Sequence, residues 1–218
     1  MRRYALVAAV VIGLVASLVG PVGAQEKPER SDSLLRESRA NVKLALDWLA
    51  EQQQENGSWR DIPAITGLVV RGMINSGIEE YNVQSEPVQK GLDYIRSQAR
   101  PNGGIYTAGY ANYNTAMCVM ALADAGLEED DYTLQKAREF LLALQADEGE
   151  NFAPEDWQYG GWGYEQHASK PGMHKADMSN TQFAVEALAR LEKAAEEREW
   201  DEQPAEGDKT DTELAYDK

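Results

Sequence analysis

Two kinds of apolar pattern alternate three times along this chain. In the first, Val42, Ala45, Leu46 and Leu49 fall at three- and four-residue spacing while Lys43, Asp47 and Glu51 take the opposite side, which predicts an amphipathic helix with one wet face. The stretch that follows, through Ile65, Leu68, Val69, Met73 and Ile74 to Gly77, is apolar around most of its circumference. Val88, Leu92 and Ile95 against Lys90, Asp93 and Arg96 repeat the first kind, and Asn114 to Ala125 repeats the second until Gly126 ends it. Leu134, Leu141 and Leu144 begin the third round, which Phe183 to Leu191 completes. The helix starts are marked as well. Asp61 is the expected N-cap of the first apolar helix, with Pro63 where proline's missing N–H costs least, and Ser179-Asn180-Thr181-Gln182 reads as a capping box for the third.

The rounds keep a register. Ala45-Leu46-Asp47-Trp48-Leu49 recurs as Gly91-Leu92-Asp93-Tyr94-Ile95 and as Ala137-Arg138-Glu139-Phe140-Leu141, 46 residues apart each time. A helical pair that cannot bury its apolar side alone must stack on its neighbours, so this period predicts a tandem array with one continuous core. Polar-faced helices belong outside and the apolar ones inside. The reading is an all-α fold, an α/α toroid or partial toroid (an arc) of three hairpins at about 38–78, 84–127 and 132–195, together a domain over 38–195. Periodicity alone leaves a straight solenoid open.

Each round also carries a corner motif. Ala45-x-x-Trp48-Leu49-x-x-x-Gln53-x-x-x-Gly57-Ser58-Trp59 resembles the glutamine-tryptophan repeat of squalene and oxidosqualene cyclases, found in looser form in protein prenyltransferase β-subunits. Lys136-Ala137-x-x-Phe140-Leu141-x-x-x-Gln145 followed by Gly160-Gly161-Trp162 is a second copy, and Lys90-Gly91-x-x-Tyr94-Ile95 with Gln98, Gly104 and Tyr106 a looser one. The resemblance spans about residues 40–191. It implies the α/α toroid of terpenoid cyclases and an apolar or isoprenoid-like ligand in the centre. The physical reading runs parallel to it. Glutamine at the end of an outer helix can reach open backbone groups, glycine permits a tight turn, and an aromatic ring can then lie over the start of the next helix. Gln53, Gly57, Trp59, Gln98, Gly104, Tyr106, Gln145, Gly160 and Trp162 are accordingly read as structural.

The termini read differently. Arg2 and Arg3 before the uncharged run Ala5 to Gly20, with small residues at Val22-Gly23-Ala24, have the form of a signal peptide over 1–24 cut before Gln25, which implies a secreted or periplasmic protein; an uncleaved N-terminal anchor is the alternative. Residues 25–37 are expected to be a linker, and 196–218 a disordered acidic tail. The formal charge of −16, and −18 without residues 1–24, argues against nucleic acid, whose recognition needs clustered cations. Cys118 is the sole cysteine, so no intramolecular disulfide forms, and its apolar neighbours mark it as a core thiol.

Chemistry is harder to place. The third hairpin carries about 17 extra residues, holding both histidines, His167 and His174, with Trp157, Tyr159, Trp162, Tyr164 and Asp177. Loops leading into inner helices would ring one mouth of the array, which makes Trp162, Tyr164, His174 and Asp177 the candidate ligand contacts. His174 and Asp177 could pair as base and orienter. A zinc site requires three or four ligands that the sequence does not spell out, so no metal and no cofactor is assigned. Squalene-hopene-type cyclases protonate their substrate with an Asp-x-Asp-Asp motif, which is missing; Glu128-Glu129-Asp130-Asp131 is read as a solvated turn. Catalytic residues are therefore left unassigned. The remaining readings are a non-catalytic module that holds a protein partner on its concave face, association with further copies of the chain, and a polysaccharide-active enzyme using Asp177 with Glu155, Asp156 or Glu165.

Overall fold

The computed structural model describes residues 32–150, 152–164 and 176–200. The expected signal peptide, most of the expected linker, His167, His174 and residues 201–218 lie outside the described residues. The chain divides into two units, 1–38 and 39–218. Of the first, residues 32–38 are described; they are helical and exposed. Helix thus begins at Asp32, where a linker to residue 37 was expected.

Among the described residues six α-helices follow in order: α1 (Asp32–Glu51), α2 (Pro63–Asn75), α3 (Glu86–Ser97), α4 (Ala111–Ala125), α5 (Asp131–Leu142) and α6 (Met178–Glu197). No strand occurs among the described residues; Ala99 and Ile105 form one isolated bridge. The protein is all-α. In the second unit α2, α4 and α6 pack side by side, α3 lies against α2 and α4, and α5 against α4 and α6. The two layers follow from the two patterns. α3 buries a single face, Val88, Gly91, Leu92, Tyr94 and Ile95, whereas twelve of the fifteen residues of α4 are buried. Met73, Leu92, Ile95, Ile105, Met117, Met120, Leu122, Leu134, Leu141 and Leu191 are fully enclosed, and each such side chain contributes roughly 1.5–3 kcal/mol on leaving water. At the centre the helices come very close: a Cβ placed on Gly67 of α2 would sit 2.8 Å from the Met117 carbonyl oxygen of α4.

Three inner-helix starts differ from expectation, and α4 opens at Ala111, three residues before Asn114. Ile62, not Asp61, precedes α2; Asp61 has φ 56° and turns its carboxylate back to accept from Asn56 Nδ2 at 2.8 Å and Ser58 Oγ at 3.2 Å. α6 opens at Met178, five residues before Phe183, because Asp177 caps it by accepting from the Asn180 N–H at 2.9 Å. Asn180 is itself buried, so the polar run was read one turn late. At its far end α6 continues to Glu197, two residues past the expected boundary, and Trp200 packs on the main core.

Candidate functional site

The corners between outer and inner helices share one hydrogen-bond plan. The backbone N–H of Trp59 donates to Thr66 Oγ1 at 3.1 Å, that of Ile105 to Thr115 Oγ1 at 2.9 Å, and that of Trp162 to Thr181 Oγ1 at 3.0 Å. The indole N–H of Trp59 donates to the Leu49 carbonyl at 2.8 Å, and that of Trp162 to Leu141 at 2.7 Å, so each ring adds a second donor to a carbonyl in the last turn of an outer helix, beside the N–H of Gln52 at 3.1 Å and of Leu144 at 3.2 Å. Gln53 Nε2 bonds the Gly57 carbonyl at 2.9 Å and Gln145 Nε2 the Gly160 carbonyl at 3.0 Å.

The middle corner is built otherwise than its sequence suggested. The turn glycine is Gly103, with φ 86° against 84° at Gly57, and Gly104 stands where Ser58 does. Ile105, fully buried, occupies the place of Trp59, while Tyr106 lies one residue on and stacks against Phe140 at 5.9 Å between centroids. Gln98 bonds only its neighbour Ser97 at 2.8 Å, because the position equivalent to Gln53 is held by Ala99. Arg100 fills in, donating to the Tyr106 carbonyl at 2.6 Å with its guanidinium 4.2 Å from that ring. Strict application of the 46-residue period would have found all three assignments.

Of the candidate ligand contacts, Trp162 is buried in its corner and Asp177 is committed to capping α6, with Asn180 Nδ2 on its second oxygen at 2.6 Å. Tyr164 is exposed and gathers aromatic neighbours: Tyr110 at 5.3 Å and Tyr113 at 6.4 Å, the latter also meeting Phe183 at 5.4 Å. These rings surround the N-terminal ends of α4 and α6. Beneath them two asparagines tie the ends together. Asn112 Nδ2 donates to the Gly163 carbonyl at 2.9 Å, Asn114 Oδ1 accepts from the Ala64 N–H at 2.9 Å, and the Oδ1 atoms of Asn112 and Asn180 have no partner among the described residues. The sequence reading takes Asn114 only as a helix start and assigns nothing to Asn112, Tyr110 or Tyr113; a polar residue inside an otherwise apolar helix is the available signal.

The opposite ends of the inner helices meet on one carboxylate. Asp124 of α4 accepts from Arg71 Nε at 2.9 Å and Asn75 Nδ2 at 2.8 Å, both of α2, and from Arg190 of α6. A cavity of about 370 Å³ opens beside it, lined in part by Gly126, Arg190, Lys193 and Arg198. Its cations are paired: Arg190 with Asp124, Arg198 with Asp131, and Lys193 with Glu197 at 3.5 Å.

The acidic run after Gly126 is not a solvated turn. Asp130 is buried and receives Arg96 of α3 through Nε at 2.7 Å and Nη2 at 3.0 Å, since the guanidinium fork matches a carboxylate's two oxygens. Glu129 lies at 2.7 Å on the same guanidinium. The other proposed carboxylates are likewise engaged or apart: Asp156 accepts from the Ala153 N–H at 2.8 Å, Glu155 is exposed, and Glu165 is outside the described residues. Cys118 is enclosed, and burial pushes its thiol far above the ordinary range, which keeps it a thiol. Among the described residues no three His, Cys, Asp or Glu side chains gather as metal ligands, and no helix is long and apolar enough to cross a membrane.

Over 185 aligned residues the chain is 30% identical to the squalene–hopene cyclase of Alicyclobacillus acidocaldarius, an alignment covering 75% of this chain and 26% of that enzyme. The chain therefore spans about a quarter of the length of the curated relative it matches. The similarity accords with a related helical repeat fold. No family model matches, and no solved structure matches significantly.

Proposed function

We propose that this is an exported binding protein of the squalene-cyclase-like repeat type, which holds an apolar, isoprenoid-like ligand against the inner helix layer of a partial toroid without cyclising it. The observation that carries the reading is the cluster of Tyr110, Tyr113, Tyr164 and Phe183 where the loops enter α4 and α6, with Tyr110 and Tyr164 exposed. Aromatic faces at the rim of an apolar layer bind hydrocarbon through dispersion and expulsion of water. Cyclisation by protonation needs a strong acid aimed at the substrate. Asp130, in the run that comes nearest to the required form, is consumed by Arg96, and Asp177 by its helix cap.

The polar cavity beside Asp124 suits such a ligand poorly, which supports the aromatic rim as the binding surface. The test is native mass spectrometry of the purified protein for a copurifying lipid, joined to a titration with squalene and with geranylgeraniol followed by intrinsic fluorescence. Saturable binding weakened by Tyr113→Ala and Tyr164→Ala supports the proposal; neither a copurifying lipid nor saturable binding refutes it. A second reading, a protein partner held on the inner layer, is favoured by Ile62 and Leu68, large apolar residues exposed at the start of and on α2.

A further inference from the structure

Successive hairpins inside this chain are joined by one repeated junction. At the first, Gly57 lies so close to α3 that a Cβ on it would stand 2.2 Å from the Lys90 carbonyl oxygen; at the second, Gly103 stands in the same way 2.3 Å from that of Lys136 in α5. Both pairs are 46 residues apart, so the seat is the same seat used twice. Gln53 reinforces the first junction by donating from Nε2 to the Pro87 carbonyl of α3 at 2.8 Å, in addition to its bond within the corner. The outer helix then settles on the preceding hairpin: a Cβ on Gly91 would meet Val70 Cγ2 at 2.4 Å.

The third hairpin carries the same seat with nothing in it among the described residues. Among them, a Cβ on Gly160 would find its nearest neighbour at 3.9 Å, and that neighbour is Gln145 of its own corner. Gln145 makes the bond within the corner and not the one to a following helix. Val185, four residues after Thr181 as Val70 follows Thr66 and Val119 follows Thr115, is 51% exposed where both of its counterparts are fully buried.

The first outer helix shows the complementary half. Val42, Ala45 and Trp48 of α1 stand 46 residues before Val88, Gly91 and Tyr94, and 92 before Leu134, Ala137 and Phe140. The six residues of α3 and α5 are buried by the preceding hairpin and its corner, but Val42, Ala45 and Trp48 are exposed; Trp48 is 58% accessible against 6% for Tyr94 and 4% for Phe140. Apolar residues suited to a junction are thus present on α1 and on the third hairpin with no hairpin against them among the described residues.

We propose that copies of this chain associate head to tail, the edge formed by Gln145, Gly160 and Val185 in one copy receiving α1 of the next in the register of the internal junctions. That register puts the Leu44 carbonyl against Gly160, the Asn41 carbonyl within reach of Gln145 Nε2, and Ala45 on Val185. The occupant is a second copy because the seat selects a helix spaced like α3 and α5, and α1 is one whose matching face is bare. The two surfaces differ, so the contact is heterologous: it closes into a ring or propagates as a chain of copies. This inference is independent of which ligand the aromatic rim takes.

Sedimentation velocity of the purified chain over about a hundredfold range of concentration reads the outcome by mass action. The wild type is expected to shift to dimers or larger species. Trp48→Asp and Val185→Asp, each at an exposed position, are expected to weaken association by at least about thirtyfold, the loss that follows from a charge at an interface centre. An equimolar mixture of the two variants should restore a species of two chains and no larger one, because the mixture holds one intact α1 and one intact edge. Far-UV circular dichroism confirms that both variants are folded, and Ala45→Arg replaces Trp48→Asp where it is not. A wild type that stays monomeric throughout, a folded variant that associates like wild type, or a mixture that stays monomeric overturns the proposal.

Discussion

Removing Asp130 should unfold this protein more readily than removing any other acidic residue of its acidic connector. The side chain of Asp130 is 1% accessible and that of Arg96 16%, so deleting the carboxylate strands a guanidinium in a largely dry site. Breaking such a pair from one side costs about 3–5 kcal/mol. Asp93 and Glu129 remain on Arg96 at 2.9 and 2.7 Å, but both are mostly exposed and return only part of the loss. Asp130→Ala is therefore expected near the low end, about 3 kcal/mol, which for a chain of this size lowers the thermal midpoint by roughly 6–12 °C. Asp130→Asn, which keeps one acceptor and the shape, should cost about half as much. The double variant Arg96→Met with Asp130→Leu should lose less than Asp130→Ala alone, since an apolar pair leaves no stranded charge. Urea unfolding followed by far-UV circular dichroism measures all of these. A cost for Asp130→Ala under about 0.5 kcal/mol, the level of an ordinary surface change, would return the acidic run to the status of a solvated turn.

Other expectations follow from the corners and the surface. Gly57→Ala meets both a left-handed φ and the Lys90 carbonyl, whereas Gly160→Ala meets the φ alone; in dilute solution the second should cost about 1–2 kcal/mol and the first clearly more, as thermal melts would show. Trp162→Phe keeps much of the ring but removes the shorter of the two hydrogen bonds to the Leu141 carbonyl, leaving the Leu144 N–H at 3.2 Å, an expected loss of about 0.5–1.5 kcal/mol by chemical denaturation. Asp47 has its carboxyl held below the ordinary range by hydrogen bonds from Lys43 and then Tyr81. A depressed folded-state value means stability present above the unfolded pKa and lost as pH falls through the folded one, so Asp47→Asn should show less of this acid-side loss in melts recorded across that range.

The helices and their layering were legible because burial writes itself into periodicity. Val88, Leu92 and Ile95 could be assigned to one face, and Asn114 to Ala125 to the interior, without coordinates. What escaped was whatever depended on a second element. Asp130 looks like any acidic turn residue until α3 delivers Arg96 to it. Asp61 and Asn180 each sit beside a helix start and invite a cap assignment, yet which of several polar side chains turns toward the open N–H groups depends on the path of the preceding loop. Tyr106 was chosen over Ile105 because an aromatic ring was expected; the position calls for a large apolar side chain, and isoleucine fills it without the indole's hydrogen bond. The aromatic rim is visible in the sequence only through Tyr164; its other members lie at or near the starts of α4 and α6, which only folding brings together.

The near-contact of Gly67 with the Met117 carbonyl bears on how anything is recognised here. With two backbones touching, α2 and α4 leave no slot between them for a guest. A ligand of the proposed kind would instead lie across the pair, reading the layer as a floor. Selection then works by length and outline along that floor, and enlarging residue 67 would part the two helices before it altered what rests on them.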